Sequence, residues 1–392
     1  MQRKTYAEID GDIIKNNVLE IKKKYPDYQY YIGVVKNNAY HHGMKCVLDM
    51  IEGGINYLAV SSLEEAIMVR KYTSTTPVLC LEPISLENID DAINLNITLT
   101  VDSLNYVKEL VKKDLFAPLK VHIAIDSGMN RLGFQTSSDL DKALQIMQKE
   151  KNIVVEGIYT HFATSGVADP YWDKQLETFK TITHNIDFKS IPIVHLGRSL
   201  TLVNHPKIEF ANAIRLGIIL YGFSQSRKEG TNLRSKLRAF KRNYLQKKYD
   251  CSSTTLENDL QLNPAMSLYS EIISVRKVCK DDVVGYNTYK VENDGYIATI
   301  PIGYADGVTK DFQKVYIKDA TYKIVSDSMD MIMVYSEEEL KIGTKVEIFG
   351  PHIQVSKVCQ RCGMNAYHLF NQISHRVTRV HKTKDTKEEI IY

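Results

Sequence analysis

Between about residues 30 and 220, short apolar runs rich in β-branched residues alternate with amphipathic segments, and this alternation limits the fold more than any other feature of the chain. The runs are YYIGVVK (30–36), INYLAVSS (55–62), TPVLCLE (76–82), ITLTVD (97–102), LKVHIAID (119–126), IVVEGIYTHF (153–162), SIPIVHLG (190–197) and ANAIRLGI (211–218). Helix-like stretches separate them, among them SLEEAIMVRKY, SLNYVKELVKK, SDLDKALQIMQKEK and WDKQLETFKTI, several opened by a Ser or Asp suited to an N-cap. Strand, helix and strand again is the connection that parallel strands require. Eight such strands predict a closed (β/α)8 TIM-like barrel. A doubly wound open sheet is the alternative, but no GxGxxG follows the first strand.

After about residue 264 strands follow one another without helices, as in MSLYSEIISVRKV, GYIATIPIG, KVYIKDATYKIVSDSMDMIMV and TKVEIFG. The expected organisation is therefore α/β plus all-β. A barrel over 1–225, whose first ten or so residues can join the second domain, precedes a linker or insertion over 226–263 and a β-rich domain over 264–392. The insertion is polar and basic, and Leu233, Leu237, Phe240 and Tyr244 recur in it at helical spacing. We read it as a solvated connection, with a docking surface for a partner, RNA or anionic lipid as the alternative. Elsewhere the charge balance argues against nucleic acid, since 50 basic residues against 47 acidic ones leave a net charge of only +3. No run approaches a membrane span, and MQRKTYAEIDGDIIKNN lacks the apolar core of a secretory signal. With six scattered cysteines the expectation is a reduced, cytoplasmic protein, with Cys359 and Cys362 of the lone CxxC serving as structural thiols and no metal bound.

In such a barrel the reactive groups gather at the C-terminal strand ends. Lys36 ends the first run, Asp126 the fifth, His161 the sixth and His195 the seventh, while Arg215 lies in the eighth. A lysine against apolar barrel walls loses its proton more easily and forms a Schiff base with a carbonyl substrate or with pyridoxal phosphate. An aldolase-like enzyme and a pyridoxal enzyme both satisfy that chemistry. Tyr40, Ser199 and the backbone N–H groups of Gly217 and Ile218 supply donors for a phosphate. Arg215 suits the ring nitrogen of a pyridoxal cofactor.

VVKNNAYHHG (34–43) resembles the pyridoxal-lysine motif of the alanine racemase family. Further matches run in family order: YAEID (6–10), DSGMNRLGF (126–134), THFATS (160–165), the His195 and Ser199 pair, IRLGIILYG (214–222), VGYNTY (284–289), IPIGYADG (300–307), SMD (328–330) and ISHRVTRV (373–380). The resemblance covers nearly the whole chain. It implies pyridoxal 5′-phosphate as cofactor, a homodimer in which the β domain of one subunit closes the barrel site of the other, and an amino acid as substrate. Lys36 would carry the cofactor and exchange the Cα proton on one face, and Tyr286 from the partner subunit would do so on the other. A tyrosine ordinarily titrates near about 10, so the second base needs help from neighbours. The resemblance assigns that help to His195, gives His161 to Arg215 as an orienting partner, and makes Tyr40 and Ser199 phosphate ligands. It places Arg131 near the substrate carboxylate, and Tyr304, Met329 and Asp330 at the substrate entrance and pocket. Because a guanidinium holds its proton, Arg215 would keep the cofactor ring nitrogen unprotonated and side reactions slow.

Several positions depart from the commonest family pattern. Ala124 stands where many members carry a lysine that positions the residue matching Arg131, Arg198 replaces an asparagine before Ser199, His375 replaces a tyrosine that contacts the cofactor phosphate, and His41 replaces a glycine. Arg198 would add a phosphate salt bridge or crowd the pocket, and His375 would widen it. The resemblance implies an alanine racemase-like isomerase that supplies D-alanine to peptidoglycan. A racemase of serine or another amino acid, a non-catalytic pyridoxal-phosphate-binding or regulatory protein, and a decarboxylase of related architecture are the alternatives.

Overall fold

The computed structural model describes residues 3–164, 170–223, 237, 240, 244, 260–286 and 288–390. Most of the basic insertion, including Leu233 and Cys251, therefore lies outside the described residues, as do Ser165 of THFATS and Asn287 of VGYNTY. Within the insertion Leu237, Phe240 and Tyr244 are helical and exposed. No described helix is long and apolar enough to cross a membrane. The described cysteines are free, and Cys359 lies in the helix Val355–Arg361.

The first strand, β1 (Tyr6–Asp10), precedes the barrel strands β2 (Tyr30–Val34), β3 (Tyr57–Val60), β4 (Val78–Cys80), β5 (Ile97–Val101), β6 (Leu119–Ile125), β7 (Ile153–Thr160), β8 (Ile193–His195) and β9 (Ala213–Leu216). These eight barrel strands pair in parallel in the order β8-β7-β6-β5-β4-β3-β2-β9. The circle is drawn together between β8 and β9 by the backbone bond from Asn212 to Val194 (3.2 Å), by Arg215 N–H to the Gly197 carbonyl (3.2 Å) and by a bridge between Arg198 and Arg215. The parallel barrel expected from the alternating pattern is thus the one observed. The ladder between β6 and β7 has one irregularity: Val121 faces Val155 and His122 faces Gly157, so Glu156 is the extra residue of a β-bulge in β7.

The remaining strands are β10 (Met266–Glu271), β11 (Ser274–Val278), β12 (Val283–Val284), β13 (Tyr289–Lys290), β14 (Gly295–Ile300), β15 (Lys314–Ile317), β16 (Ala320–Asp327), β17 (Ile332–Ser336), β18 (Lys345–Phe349), β19 (Thr378–Lys382) and β20 (Lys387–Ile390). Ten strands form one sheet in the order β11-β14-β17-β16-β15-β18-β10-β1-β19-β20, and β12 and β13 form a separate hairpin. The chain divides into two compact units. One comprises Lys15–Asn37 and the chain from Met50 to Leu262. The other takes the residues up to Ile14, Asn38–Asp49 and everything from Asn263 onward.

That division falls inside an unusual turn. Lys36–Tyr40 forms one helical turn in which Asn37, Asn38, Ala39 and Tyr40 have φ of 56, 52, 53 and 53°, followed by His41 at 62°. A left-handed run of L-residues costs roughly 1–2 kcal/mol per residue and is normally limited to single positions, with Asn the most tolerant after Gly. Buried polar contacts hold it. The fully buried Arg379 donates to the carbonyls of His41 (3.0 Å), Ile373 (2.6 Å), Ser374 (2.5 Å) and Val377 (2.7 Å), which ties the turn to the end of the β-rich unit. A second tie is the buried pair His381 and Asp49 at 2.7 Å. Asn37 is exposed, and Asn37→Val and Asn37→Gly both remove its amide, so the difference between the two variants tests the backbone. Asn37→Val is expected to lower the free energy of unfolding by about 2 kcal/mol, and Asn37→Gly to leave it within about 0.5 kcal/mol, in urea melts followed by circular dichroism. Equal midpoints for the two variants would show that the turn is not strained.

Candidate functional site

The strand ends of the barrel unit carry the candidate residues. Lys36 follows Val35, whose N–H continues the β2 ladder to Ala59 at 2.8 Å, and the side chain is half-buried with no ion-pair partner among the described residues. After β6, Asp126 accepts from the backbone N–H of Gly128 (3.0 Å) and Asn130 (2.9 Å) and from Gln135 (3.1 Å). Burial works against its charge, but those hydrogen bonds outweigh it and hold the carboxyl below its ordinary value. The loop so fixed ends in Arg131. Gly133, at φ 124°, closes it where a Cβ would meet the Asp126 backbone nitrogen at 2.5 Å. Past β8 and β9, Ser199 Oγ accepts from Gly217 N–H at 3.0 Å, and Ile218 opens the turn that follows. Arg198 is half-buried and donates to the Thr164 carbonyl at 3.3 Å.

Arg215 is 3% exposed, and its two terminal nitrogens are fully committed. Nη1 donates to His195 Nδ1 and to the His195 carbonyl, both at 2.6 Å, and Nη2 donates to the carbonyls of Thr160 (2.7 Å) and Leu196 (3.3 Å). Nε bonds to none of the described residues. Tyr159 lies beside the guanidinium, with its ring centroid 5.3 Å away, and stacks on His195. Burial pulls the Arg215 guanidinium down to about 10, which still leaves it charged at neutral pH.

This geometry corrects the expected pairing of the histidines. Arg215 bonds the ring of His195, not that of His161; at the end of β7, which His161 follows, it takes only the Thr160 carbonyl. Both ring nitrogens of His195 are engaged, Nδ1 by Arg215 and Nε2 by His122 Nδ1 at 2.8 Å, so His195 is not available to activate another group. His161 is the histidine at the mouth. Burial, and then the positive charges of Arg215, Arg198, Arg131 and Lys36, push it well below its ordinary value. Four cations thus converge on one half-buried ring.

His122 and Glu156 are missing from the residues singled out in the sequence. The available signal was a polar residue in the middle of each of two mainly apolar strands, LKVHIAI and IVVEGIYT.

The β-rich unit carries the other candidates. Tyr304 and Ala305 donate backbone bonds to Ser328 (3.1 Å) and Met329 (3.0 Å), which joins the IPIGYADG and SMD segments. Gly303 permits the approach, since a Cβ there would lie 2.3 Å from the Ser328 oxygen. Asp330 accepts from Arg376 at 2.6 Å, and the buried Asp306 accepts a fork of bonds from Arg3 at 2.7 and 2.6 Å. Two of the departures from the family pattern touch each other: the rings of His41 and His375 lie 5.0 Å apart, and His41 Nδ1 bonds the Ile373 carbonyl at 3.0 Å. His41 thereby makes contacts that offset a φ suited to glycine. Tyr40 packs against Tyr367 with ring centroids 5.7 Å apart. Tyr286, on the β12–β13 hairpin, is 87% exposed.

An unpaired lysine, a buried guanidinium with one spare donor, a serine beside a backbone amide and a surplus of positive charge fit an anionic aldehyde cofactor with a ring nitrogen. Comparison with known proteins agrees. Residues 9–225 match the model for the alanine racemase N-terminal domain and residues 265–381 that for the C-terminal domain. An alanine racemase of Streptococcus agalactiae is 34% identical over 388 residues, covering 96% of this chain and 98% of its own. The crystal structure of alanine racemase from Bacillus anthracis with bound L-Ala-P superimposes with a TM-score of 0.83 at 31% identity, covering 99% of this chain and 97% of that one. A histidine racemase from Leuconostoc mesenteroides shares the fold, with a TM-score of 0.82 at 24% identity and 97% and 98% of the two chains covered. The chain belongs to the alanine racemase family and is a racemase whose cofactor is pyridoxal 5′-phosphate.

Proposed function

We propose that this protein interconverts L- and D-alanine by a two-base mechanism in a homodimer, and that its product supplies D-alanine for peptidoglycan. The observation that carries the reading is the placing of four cations at the C-terminal ends of the parallel strands: Lys36 after β2, Arg131 after β6, Arg198 after β8 and the buried Arg215 in β9. An amino acid carboxylate and a cofactor phosphate are the anions such a site accepts. The cofactor, once bound, supplies an electron sink for the charge left at Cα.

Each residue then has a defined task. Lys36 holds the cofactor and, when its amine is released, takes or returns the Cα proton on one face. Tyr286 of the partner subunit serves the opposite face. Its 87% exposure on a hairpin tip is what a residue committed to another subunit would have. Two bases are needed because a single one tends to return the proton to the side it came from. With His195 occupied by Arg215, His161 is the histidine left to assist that tyrosine. Arg215 directs its spare Nε to the ring nitrogen. Tyr40, Ser199, Gly217, Ile218, Arg198 and His375 hold the phosphate. Arg131 and the Met329 backbone meet the carboxylate, while Tyr304 and Asp330 border the entrance.

In proton NMR of the cofactor-loaded enzyme in deuterated water, L- and D-alanine should each lose the Cα-H signal and yield the opposite enantiomer faster than serine does. Faster exchange of serine would transfer the assignment to that amino acid, and absence of exchange from both would leave a cofactor-binding protein. Lys36→Ala should remove the visible absorbance of the lysine-bound cofactor and lower kcat by about three orders of magnitude or more. Intact absorbance in that variant would displace Lys36 from its role. Tyr286→Phe should keep the absorbance while slowing exchange from one enantiomer by roughly a hundredfold. Equal exchange rates from both enantiomers, matching the parent enzyme, would refute its assignment.

A further inference from the structure

Among the described residues no carboxylate bonds to the buried Arg215, and a line of contacts leads from it through two histidine rings to Glu156. Beyond the Arg215 contact, His195 Nε2 lies 2.8 Å from His122 Nδ1, and His122 Nε2 lies 3.4 Å from Glu156 Oε2. The two histidines are completely buried. Glu156 is in turn gripped by Lys120 at 2.7 Å, by the Tyr57 hydroxyl at 2.7 Å and by Thr98 Oγ1 at 3.2 Å. Tyr57 is on β3 and Glu156 on β7, strands that are not neighbours in the sheet, so the bond between them crosses the barrel interior.

The chemistry of the donors fixes a direction along this chain. A guanidinium only donates, so His195 Nδ1 must be bare and its single proton must sit on Nε2. That proton points at His122 Nδ1, which must therefore be bare as well, and the His122 proton points from Nε2 to the carboxylate. Burial pushes both histidines below their ordinary range, which favours the one-proton rings this scheme needs. Burial alone would raise Glu156, but bonds from His122, Lys120 and Tyr57 prevail and bring it to about 2, so the anion at the end is secure.

The backbone is shaped for the same contact. Tyr159 turns into the barrel, bonding Thr100 of β5 at 3.1 Å, so strict alternation along β7 would send Gly157 inward and Glu156 outward. The bulge at Glu156 breaks that alternation and re-aims the carboxylate. Gly157 leaves room for the ring, since a Cβ there would lie 2.6 Å from His122 Cε1.

We propose that His122, anchored by Glu156, is a positioning residue for catalysis: it accepts the Nε2 proton that the Arg215 contact forces onto His195, and so holds the His195 ring where it keeps Arg215 turned with Nε toward the cofactor ring. The inference rests on the assignment of Arg215 to that ring nitrogen. Two substitutions separate positioning from bulk. His122→Asn places an amide oxygen where Nδ1 was and keeps an acceptor for His195, whereas His122→Leu fills the space and leaves the His195 Nε2 proton buried without a partner.

The test combines nitrogen-15 NMR of histidine-labelled apoprotein with titration of pyridoxal phosphate and steady-state kinetics. In the parent protein and in His122→Asn, His195 should show a protonated Nε2 and a bare Nδ1, with cofactor affinity unchanged between the two. In His122→Leu the His195 ring, its Nε2 proton stranded, should leave its single ordered position, and its Nε2–H resonance should broaden or shift. The cofactor dissociation constant should rise about ten- to hundredfold because Arg215 Nε is then no longer held in one direction, and kcat should fall at unchanged KM. A folded His122→Leu protein with the parent His195 resonances and affinity, or a parent protein with Nδ1 protonated, would overturn the proposal. If the parent chain fails to bind pyridoxal phosphate, the assignment of the site fails. The tautomers of the apoprotein still decide the relay.

Discussion

A guanidinium buried at the closure of a parallel barrel is the constraint on which the rest of the site depends. Arg215 sits on the strand that completes the circle, and its bonds run to the ends of the two preceding strands, at Thr160, His195 and Leu196. Those bonds serve the fold and the chemistry together. They satisfy four of the five N–H groups of a charge that would be very costly to bury bare, and they leave the fifth pointing elsewhere. Removing such a partner costs more than the bond itself contributes, because the remaining charge is stranded. The barrel interior accordingly contains a layer of Tyr57, Thr98, His122 and Glu156 where a purely aliphatic filling would have no counter-charge to offer.

A second constraint acts at the lysine. Its side chain stands at a strand end while the backbone immediately beyond is wound left-handed, so the position of Lys36 is set by a turn that the surroundings must hold against its own preference. Arg379 does much of that holding from the far end of the sequence. Residues more than 300 positions apart therefore share responsibility for one turn.

Much of this was legible in the sequence. The eight barrel strands follow from the rhythm of apolar runs, and Lys36, His161 and His195 stand where three of those runs stop. The partner of Arg215 was not legible. His161 and His195 both end apolar strands, and Arg215 reaches the ends of both, taking the ring of His195 but only the backbone just before His161. Glu156 escaped for a different reason: a bulge inverts the side of the strand a residue faces, and IVVEGIYT gives no local sign of it. Nor does KNNAYH announce a left-handed turn, since it contains no glycine and only its two asparagines favour that region of φ.

The allegiance of Asn38–Asp49 bears on how such a chain can be recombined. The segment is embedded in the first half of the sequence but packs with the β-rich unit, where His41 meets Arg379 and Asp49 meets His381. A chimera made by one crossover near residue 264, joining this barrel to the second domain of a relative, would inherit mismatched halves of both contacts. Its first casualty would be the turn that carries the lysine. A viable exchange has to transfer three pieces at once, β1 and Asn38–Asp49 as well as the C-terminal strands, so the unit inherited as a module is discontinuous in the gene.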